Sequence, residues 1–418
     1  MTEFSGGSLN GVFKAPPSKS YTHRAIILAS LADGRSTIYD PLVSLDTLST
    51  MAAMEAMGAV IEKLGNELRI VGKGIQIPAG ALNVENSGTT MRLLSGVVSS
   101  FDSPVTLTGD ESLQKRPMGP LLDALSEMGV SCTSRDGRPP VTIKGPNNGG
   151  NVSISGNISS QFVSSLIMSA PLFGNDTAIK IEGNTVSRPY IDITIRMMND
   201  FGVNVTESNG FRIKAGQSYK PREYRVPGDM SSAAFPLTGG ALSGSVTMEH
   251  YDNDDPQGDK DIINILRMCG ADVSVDNGKV TVKKKELNGT DVDMSNIPDL
   301  FPIVAVLLST AKGTSKLYGA PHLRFKESNR IETTTRMLKT LGADIVPTDD
   351  GCIIKGVERL KGGHIQHHGD HRIAMSAAIA SLVSDGSVTM NDTECCSVSF
   401  PGFTDIMKRM GMVIFCTD

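Results

Sequence analysis

Met51-Ala-Ala-Met-Glu-Ala-Met-Gly58-Ala-Val-Ile61 is one of six copies of a pattern that runs through this 418-residue chain. In each copy an amphipathic helical segment stops at a glycine, and a β-strand pattern follows. A glycine at this place can adopt the left-handed conformation that ends a helix. The six glycines, spaced 71, 73, 68, 72 and 69 residues apart, are Gly58, Gly129, Gly202, Gly270, Gly342 and Gly411. Such regular spacing indicates six copies of one αβ unit.

A second pattern, a helix start rich in capping residues, runs in phase with the first. A helix of small apolar residues follows each start, as in Ile373-Ala-Met-Ser-Ala-Ala-Ile-Ala380. These helices are apolar nearly all round, so we expect them to be buried. The six starts use residues that cap helices or tolerate tight turns: Ser18–Ser20, Asn86–Arg92, Ser159–Gln161, Gly228–Ser232, Pro298–Asp299 and Gly369–Arg372.

Strand patterns complete each copy. One strand follows each buried helix, as at Pro104–Leu107, and a hairpin follows each glycine-stopped helix except the last, as at Val273–Val282 around Asn277-Gly278. Each unit therefore reads strand-helix-strand-helix-strand-strand. The last unit ends one strand short, and we expect the strand pattern near Leu9–Phe13 to return to the C-terminal half and complete it.

Six units divide naturally into three and three at the proline-containing segment Tyr219–Gly228. We predict an α/β protein with an upper domain, residues 15–227, and a lower domain, residues 1–14 plus 228–418. Two chain crossings, near Pro16 and Pro227, indicate a hinge and a cleft. The starts of the buried helices would line this cleft, where six helix N-termini sum to at most about +3 charges. A net-acidic protein can hold a multiply anionic ligand in this way.

Composition excludes several classes of function. A net charge of −5, the absence of Trp and the low aromatic content argue against a nucleic-acid binder. Met1–Gly11 has no signal-peptide pattern, and no apolar run is long enough to cross a bilayer, so we predict a cytoplasmic protein that is not bound to membranes. We expect a monomer.

The cysteines and histidines give no metal-site pattern. None of the six cysteines forms a Cys-x-x-Cys pair or has His at metal-ligand spacing. Cys395-Cys396 is interpreted as a pair of reduced structural thiols, with a redox role as the alternative. His367, His368 and His371 lack a supporting carboxylate or cysteine set.

Cations at the helix starts predict an anion site. Lys19 and Arg24 lie at the start of a helix after Pro16-Pro17, which is unfavourable unless an anion is shared with the helix N-terminus. Several arginines with few acids indicate two anionic ligand groups. Among the acids, Asp299 and Glu327 are candidates for proton transfer, with ordinary ion pairing as the alternative for each. Further charged residues at the starts and adjacent loops are Arg92, Arg116, Lys326, Arg330, His371 and Arg372.

The chain resembles the 5-enolpyruvylshikimate-3-phosphate synthases over essentially its whole length. Any one motif is weak, but eight in order and in phase with the repeats are specific. They are Ser18-Lys-Ser-Tyr-Thr-His-Arg24, Asn86-Ser-Gly-Thr-Thr-Met-Arg92, Lys115-Arg-Pro-Met-Gly119, Ser159-Ser-Gln161, Ser187-Arg-Pro-Tyr-Ile-Asp192, Gly228-Asp-Met-Ser-Ser-Ala-Ala234, Lys326-Glu-Ser-Asn-Arg330 and Asp370-His-Arg372.

The resemblance implies a two-domain inverted α/β barrel that transfers the enolpyruvyl group of phosphoenolpyruvate to the 5-hydroxyl of shikimate 3-phosphate. This is a step towards chorismate and the aromatic amino acids, and no metal or organic cofactor is implied. The family's shikimate 3-phosphate ligands map to Lys19, Ser20, Arg24, Ser159, Ser160, Gln161, Ser187, Asp299 and Lys326. Its phosphoenolpyruvate ligands map to Lys19, Gly88, Arg116, Gln161, Arg330 and Arg372. Asp299 is the expected base, and Glu327 or Lys19 the expected proton donor.

Three positions depart from the family pattern. Many members have Lys where this chain has Val398, within the phosphate site for phosphoenolpyruvate. Others have Asn at the position of His322, near the shikimate phosphate, and Asn at that of His23. We expect Val398 to weaken phosphoenolpyruvate binding without abolishing the chemistry.

Two other functions stay open at this point. The related transferase that acts on UDP-N-acetylglucosamine resembles the same fold, but it typically has a Cys in the loop before its Arg-Pro, and the loop Gly109–Arg116 has none. A non-catalytic binder of sugar phosphates or RNA ends would keep the basic residues and could lose Asp299 and Glu327, both of which are present.

Overall fold

The computed structural model describes residues 1–416 and divides them into two compact units. We call Pro17–Pro227 the continuous unit, and Met1–Pro16 with the chain from Gly228 onward the split unit. The split unit begins with β1 (Thr2–Gly7) and β2 (Asn10–Lys14). None of the helices within residues 1–416 is long and apolar enough to span a membrane.

The continuous unit contains three copies of the repeat. Its helices are α1 (Lys19–Leu31), α2 (Leu45–Ala56), α3 (Gly88–Val98), α4 (Gly119–Glu127), α5 (Ser160–Ser169) and α6 (Pro189–Asp200). Its strands are β3 (Gly34–Tyr39), β4 (Val60–Leu64), β5 (Glu67–Gly72), β6 (Leu82–Asn83), β7 (Val105–Thr108), β8 (Ser131–Arg135), β9 (Arg138–Lys144), β10 (Gly150–Ser155), β11 (Thr177–Glu182), β12 (Val205–Glu207), β13 (Phe211–Ile213) and β14 (Glu223–Arg225).

The split unit contains the other three copies. Its helices are α7 (Met230–Ser243), α8 (Ile262–Met268), α9 (Phe301–Ser309), α10 (Arg330–Thr340), α11 (His371–Ala380) and α12 (Phe403–Arg409). Its remaining strands are β15 (Ser245–Glu249), β16 (Asp272–Asp276), β17 (Lys279–Lys283), β18 (Val292–Asp293), β19 (Thr314–Tyr318), β20 (Asp344–Pro347), β21 (Cys352–Lys355), β22 (Gly363–His364), β23 (Val388–Met390) and β24 (Met412–Cys416).

Each repeat forms one four-stranded sheet with the same order. In the third copy the order is β10-β11-β13-β12, with β10 parallel to β11 and the other pairs antiparallel. The first copy takes its parallel edge strand, β14, from the far end of the continuous unit. The α/β fold of six strand-helix-strand-helix-strand-strand repeats, three in each unit, is therefore confirmed.

The prediction for the N-terminal strands was wrong by one strand. Thr2–Gly7 completes the sixth copy by pairing with both β23 and β24. The predicted segment forms β2 instead, which pairs parallel with β15 in the fourth copy. The first strand is poor in apolar side chains and contains Gly6-Gly7, so its sequence carries little strand signal. The buried residues of this strand are Thr2, Phe4 and Gly6, so only one of them, Phe4, has a large apolar side chain.

The helices begin and end where the sequence pattern predicts. All six repeat glycines have left-handed φ, between 80° at Gly342 and 107° at Gly411. The small-residue helices are buried as expected, and every residue of α9 and α11 is buried. Each unit has its own hydrophobic core, built around these helices. Several candidate residues lie in the first turns of these helices, among them Lys19, Gln161 and Arg372.

Candidate active site

In the continuous unit, α1 begins at Lys19 after Ser18, whose backbone is extended. The Nζ atom of Lys19 lies 3.1 Å from Oδ2 of Asp46, a residue in the first turn of α2. The two side chains are about equally accessible, 15% and 14% exposed. Asp46 thus offsets the charge of Lys19 while leaving the ammonium at the surface of the unit, where an anion can reach it.

Arg24 has a different environment, because its guanidinium is 1% exposed. Nε donates to Thr194 Oγ1 at 2.7 Å, Nη1 to the Ser20 carbonyl at 3.0 Å, and Nη2 to the Tyr190 carbonyl at 3.2 Å. Burial lowers the pKa of Arg24 to about 10, so it stays charged at neutral pH. In this arrangement Arg24 ties α1 to α6.

The first turns of α3 and α5 are joined through Gln161. Its Oε1 accepts from Arg92 Nη1 at 2.8 Å, and its Nε2 donates to Thr89 Oγ1 at 3.0 Å. Ser159 caps α5, with its hydroxyl accepting from the Gln161 backbone N–H at 3.2 Å. Arg92 also lies over the ring of Phe162, 5.5 Å from its centroid. The amide of Gln161 is therefore held in one orientation.

Gly88, the first residue of α3, faces Arg116. A Cβ built at Gly88 would lie 2.8 Å from Arg116 Nη1, so only glycine lets the guanidinium approach this helix N-terminus. Arg116 Nη2 donates to Asn86 Oδ1 at 2.7 Å, and Asn86 Nδ2 donates to Asp110 Oδ2 at 2.6 Å. A cation beside free backbone N–H groups is a strong anion site.

Two further predicted ligands of the continuous unit, Ser187 and Ser160, have buried positions. Ser187 has a left-handed φ of 54°, which is uncommon for a residue with a side chain. Ser160 is the first residue of α5 and is also buried. Backbone strain of this kind often occurs where a side chain must face a ligand.

In the split unit, Arg330 is the centre of a charge cluster. It is 1% exposed and contacts three carboxylates: Nη1 lies 2.7 Å from Asp299 Oδ1, Nη2 2.6 Å from Glu327 Oε2, and Nε 2.9 Å from Asp370 Oδ2. Burial opposes its charge, but Asp370, Glu327 and Asp299 together raise the pKa of Arg330 further above its high ordinary value.

Asp299 connects this arginine to two further cations. Its Oδ2 lies 3.0 Å from Arg372 Nη2, and its Oδ1 lies 3.7 Å from Lys326 Nζ. Burial favours the protonated acid, but Arg372, Lys326 and Arg330 outweigh burial and hold the pKa of Asp299 well below its usual range. Asp299 is therefore a carboxylate at neutral pH.

Asp370 orients two members of the cluster. Its Oδ1 accepts from the Arg372 backbone N–H at 3.0 Å, which caps α11, and its Oδ2 binds Arg330. Burial raises its pKa and Arg330 lowers it, with a net shift below the ordinary value. One buried acid thus holds the side chain of Arg330 and the backbone of Arg372, the two arginines of this unit that were predicted to bind phosphoenolpyruvate.

Two residues beside the cluster have strongly shifted pKa values. Burial, followed by repulsion from Asp299, raises the pKa of Asp259 to about 7, and its side chain accepts a hydrogen bond from Ser231. Burial lowers the pKa of His322 to about 3, followed by Lys326. Neither ring nitrogen of His322 has a hydrogen-bond partner among the described residues.

Sequence analysis missed Asp46 and Asp259. Asp46 lies at a helix start in Ser44-Leu-Asp46, which is a usable but weak capping signal. Asp259 follows the acidic loop Asp252–Asp255 and has no distinguishing signal. Residues 1–416 contain no group of three His, Cys, Asp or Glu side chains placed to hold a metal ion.

Comparison with known proteins gives one consistent family. The family model described as EPSP synthase (3-phosphoshikimate 1-carboxyvinyltransferase) matches residues 5–407. The chain is 47% identical over 411 residues to the 3-phosphoshikimate 1-carboxyvinyltransferase of Methanocorpusculum labreanum, with 97% of each covered. It is 43% identical over 412 residues to that of Methanocaldococcus jannaschii, with 96% of each covered. A solved EPSP synthase from Acinetobacter baumannii superposes with a TM-score of 0.84 at 33% identity, covering 99% of each chain.

Proposed function

The chain belongs to the EPSP synthase family, and on that basis we propose how its residues divide the work of the reaction. The enzyme transfers the enolpyruvyl group of phosphoenolpyruvate to the 5-hydroxyl of shikimate 3-phosphate and releases phosphate. The reaction serves the shikimate pathway and aromatic amino acid biosynthesis. The observation that carries the residue assignment is the buried cluster in which Arg330 and Arg372 flank Asp299.

The proposed ligands of shikimate 3-phosphate include residues of each unit. Ser159, Ser160 and the Lys19 ammonium offer hydroxyls, a helix start and a charge to its phosphate. Asp299 and Lys326 face its ring hydroxyls. The remaining proposed ligands are Ser20, Arg24, Gln161 and Ser187. Arg24 makes its present hydrogen bonds within the protein, so direct contact with the phosphate requires it to exchange one of them.

Phosphoenolpyruvate binds the arginines. Gly88 and Arg116 form a cation-plus-helix-start site for one anionic group, and Arg330 and Arg372 supply two guanidinium forks for the other. Lys19 and Gln161 complete the proposed set. The Nη1 and Nη2 groups of Arg330 already bind Asp299 and Glu327. In this proposal phosphoenolpyruvate replaces one of these two carboxylates on Arg330.

Asp299 is the proposed base for the 5-hydroxyl. Arg330 and Arg372 hold its pKa low, and turning either guanidinium to the anionic substrate raises that pKa and strengthens the base. Glu327 or Lys19 delivers a proton to the phosphoenolpyruvate methylene. Addition followed by elimination passes through a tetrahedral intermediate, which the surrounding cations stabilise electrostatically.

One experiment separates this function from its rivals. Phosphate release from phosphoenolpyruvate is measured with shikimate 3-phosphate, with UDP-N-acetylglucosamine and with neither. We expect release only with shikimate 3-phosphate, and a loss of about 100-fold or more in kcat in Asp299→Asn, since a removed general base costs 10²–10⁴. Release that depends on the nucleotide sugar, or no release at all, contradicts the proposal.

We also propose that the enzyme acts as a cytoplasmic monomer. The six cysteines are free thiols, as in a reducing compartment, and each of the sheets described is completed within one chain. Sedimentation equilibrium is expected to give the mass of one chain, 44.4 kDa. A stable dimer would contradict the proposal.

A further inference from the structure

Cys395, within the short 3-10 helix Glu394–Val398 of the split unit, lies close to His367, which in turn lies close to Asp392. Cys395 Sγ is 3.4 Å from His367 Nδ1, and His367 Nε2 is 3.7 Å from Asp392 Oδ1. None of the three has a part in the proposed reaction. A nucleophile, a base and a carboxylate that orients the base form the arrangement that activates thiols in many enzymes.

The backbone fixes which nitrogen of His367 takes up a proton. The Gly369 N–H donates to Nδ1 at 3.1 Å, so in the neutral ring Nδ1 is the acceptor and the proton sits on Nε2, towards Asp392. Nδ1 is therefore the unprotonated nitrogen beside the Cys395 sulfur, and it takes up the thiol proton only by giving up its hydrogen bond from Gly369. Asp392 is half exposed and stabilises the imidazolium once Nδ1 is protonated.

The electrostatics agree with this geometry. A hydrogen bond from Cys396 lowers the pKa of Cys395 to about 6, with burial opposing it and His367 adding to the effect. The hydrogen bond with Cys395, helped by the charges of Asp392 and Asp370, raises the pKa of His367. Cys396 itself is buried, and its pKa is raised well above the ordinary value, so it stays a thiol. The titratable neighbours of the pair thus include Cys396, Asp392 and Asp370.

We propose that Cys395 is a modification site, whose thiolate, formed by proton transfer to His367, is oxidised by hydrogen peroxide to a sulfenic acid. The sulfur attacks one peroxide oxygen, a sulfur–oxygen bond forms and the oxygen–oxygen bond breaks. The departing hydroxide takes the proton from His367 and leaves as water. Sulfur loses two electrons and the peroxide gains them. A thiol reductant reverses the change.

The modified cysteine is connected to the arginine cluster through His367. Its carbonyl accepts from the Asp370 N–H at 2.9 Å, and Asp370 binds Arg330 and caps α11. An oxygen added to Sγ on the side of the ring would not fit in the 3.4 Å gap, and in that position it would displace His367. We expect this shift to loosen Arg330 and Arg372, a consequence that rests on the proposed function.

Alkylation kinetics test the site without turnover. Iodoacetamide labelling of each cysteine is followed by peptide mass spectrometry at pH 6 and pH 9, with the exposed Cys416 as the internal comparison. A thiol of pKa about 6 is about half ionised at pH 6, against well under 1% for an ordinary thiol, and its lower nucleophilicity reduces the advantage to about tenfold. We expect Cys395 to label about tenfold faster than Cys416 at pH 6 and no faster at pH 9.

Two variants attribute the reactivity to the pair. His367→Gln keeps a polar side chain without a proton acceptor of suitable basicity, and we expect it to slow Cys395 labelling at pH 6 several-fold, since the hydrogen bond from Cys396 remains. Asp392→Asn is expected to slow the labelling of Cys395 by a smaller factor. Because Asp392 is half exposed, this variant should fold normally, so it tests the pair even if His367→Gln has a folding defect. Equal rates at Cys395 and Cys416 at pH 6, or an unchanged rate in both variants, overturn the proposal.

Peroxide treatment then measures the consequence. Dimedone, which traps sulfenic acids, is expected to add to Cys395 and not to Cys416, and the KM for phosphoenolpyruvate is expected to rise several-fold until a thiol reductant is added. Cys395→Ser removes both effects and keeps the untreated activity, while Cys416→Ser is the matched control that removes neither. Dimedone trapping does not require turnover, so a failure of the proposed function leaves this test intact. Absence of trapping at Cys395 overturns the modification site.

Discussion

At the scale of single residues, the functional cations already have anionic partners within the protein. Arg330 binds three carboxylates, and Lys19 lies against Asp46. A buried guanidinium without partners would cost several kcal/mol, so these acids keep the site stable until an anionic substrate replaces some of them. This exchange links binding of the substrate to ionisation of Asp299.

Lys19 is the residue whose loss should do most damage. Lys19→Met keeps the length of the side chain and removes the charge shared by both proposed ligand sets. We expect kcat/KM to fall about 100-fold, in the range measured when one stabilising donor is removed from an active site, with KM raised for both substrates. Asp46→Asn is the matched control, and it should have a smaller effect because Lys19 remains. Equal effects of the two variants would contradict a direct role for Lys19.

Val398 is the departure with the clearest kinetic prediction. It ends a short 3-10 helix and is half buried. Val398→Lys places a cation where many family members have one, and we expect it to lower the KM for phosphoenolpyruvate while leaving that for shikimate 3-phosphate nearly unchanged. Steady-state kinetics with each substrate varied in turn measure the effect, and an unchanged phosphoenolpyruvate KM refutes it. Val398→Met is the neutral control.

His23 predicts a pH dependence of stability. Its ring is fully buried, with Nδ1 2.7 Å from Thr50 Oγ1, and burial lowers its pKa to about 3. The unfolded chain binds a proton near pH 6.5 and the folded chain does not, so the stabilising contribution is complete above pH 6.5 and is lost as pH falls towards 3. At about 1.4 kcal/mol per pH unit, the loss between pH 6.5 and 5 is about 2 kcal/mol.

The test replaces His23 with the asparagine found in other members of the family. Urea unfolding at pH 7 and pH 5 should show that His23→Asn has lost about 2 kcal/mol of the wild-type pH dependence. His364→Asn, at an exposed histidine, should keep the wild-type dependence. If His23→Asn keeps the full wild-type pH dependence of the free energy of unfolding, a group other than His23 causes that dependence.

At the scale of helices and strands, sequence predicted what is decided locally. The six helix starts and the six glycine stops are where they were expected, because capping and left-handed turns depend on a few adjacent residues. The place of β1 was not predictable in this way. Its partners β23 and β24 lie nearly four hundred residues away, and strand pairing over that distance leaves no local signal. Asp46 and Asp259 were missed because their roles depend on contacts with other elements, Lys19 for the one and Ser231 for the other.

Replacing one of the six helix-ending glycines measures how much free energy of unfolding depends on its left-handed conformation. Gly129 has φ 86°, and a Cβ there would meet its nearest atom, Asn148 Nδ2, at an ordinary 3.5 Å. Gly129→Ala therefore adds conformational strain without a clash, and we expect a loss of about 1–2 kcal/mol in the free energy of unfolding. Gly80→Ala, in open space without a left-handed φ, should change it by less than about 0.5 kcal/mol. Urea unfolding distinguishes the two.

At the scale of the whole molecule, the two units differ in how they depend on chain continuity. Every sheet of the continuous unit is formed by strands within Pro17–Pro227, with β14 closing the first. The split unit needs β1 and β2, which precede the continuous unit. The continuous unit thus contains all the strands of its own sheets. The split unit takes two of its strands from a segment on the other side of the continuous unit in the sequence.

Fragments should reflect this difference. We expect residues 17–227 to fold alone and melt cooperatively in circular dichroism. Residues 228–418 should not, because β15, β23 and β24 lose their partner strands. Adding residues 1–16 through a flexible linker at the N-terminus of the second fragment should restore cooperative melting. Cooperative melting of residues 228–418 alone would contradict the expectation.

The position of Thr2–Gly7 in the sixth sheet also sets an order of events on the ribosome. This strand is synthesised before the continuous unit, yet its partners β23 and β24 emerge roughly 400 residues later. At about 10 residues per second, that delay is about 40 seconds. During this time the continuous unit can fold, while the strand has no sheet to join. A nascent-chain chaperone that covers Thr2–Gly7 would therefore act on the folding of the far end of the protein.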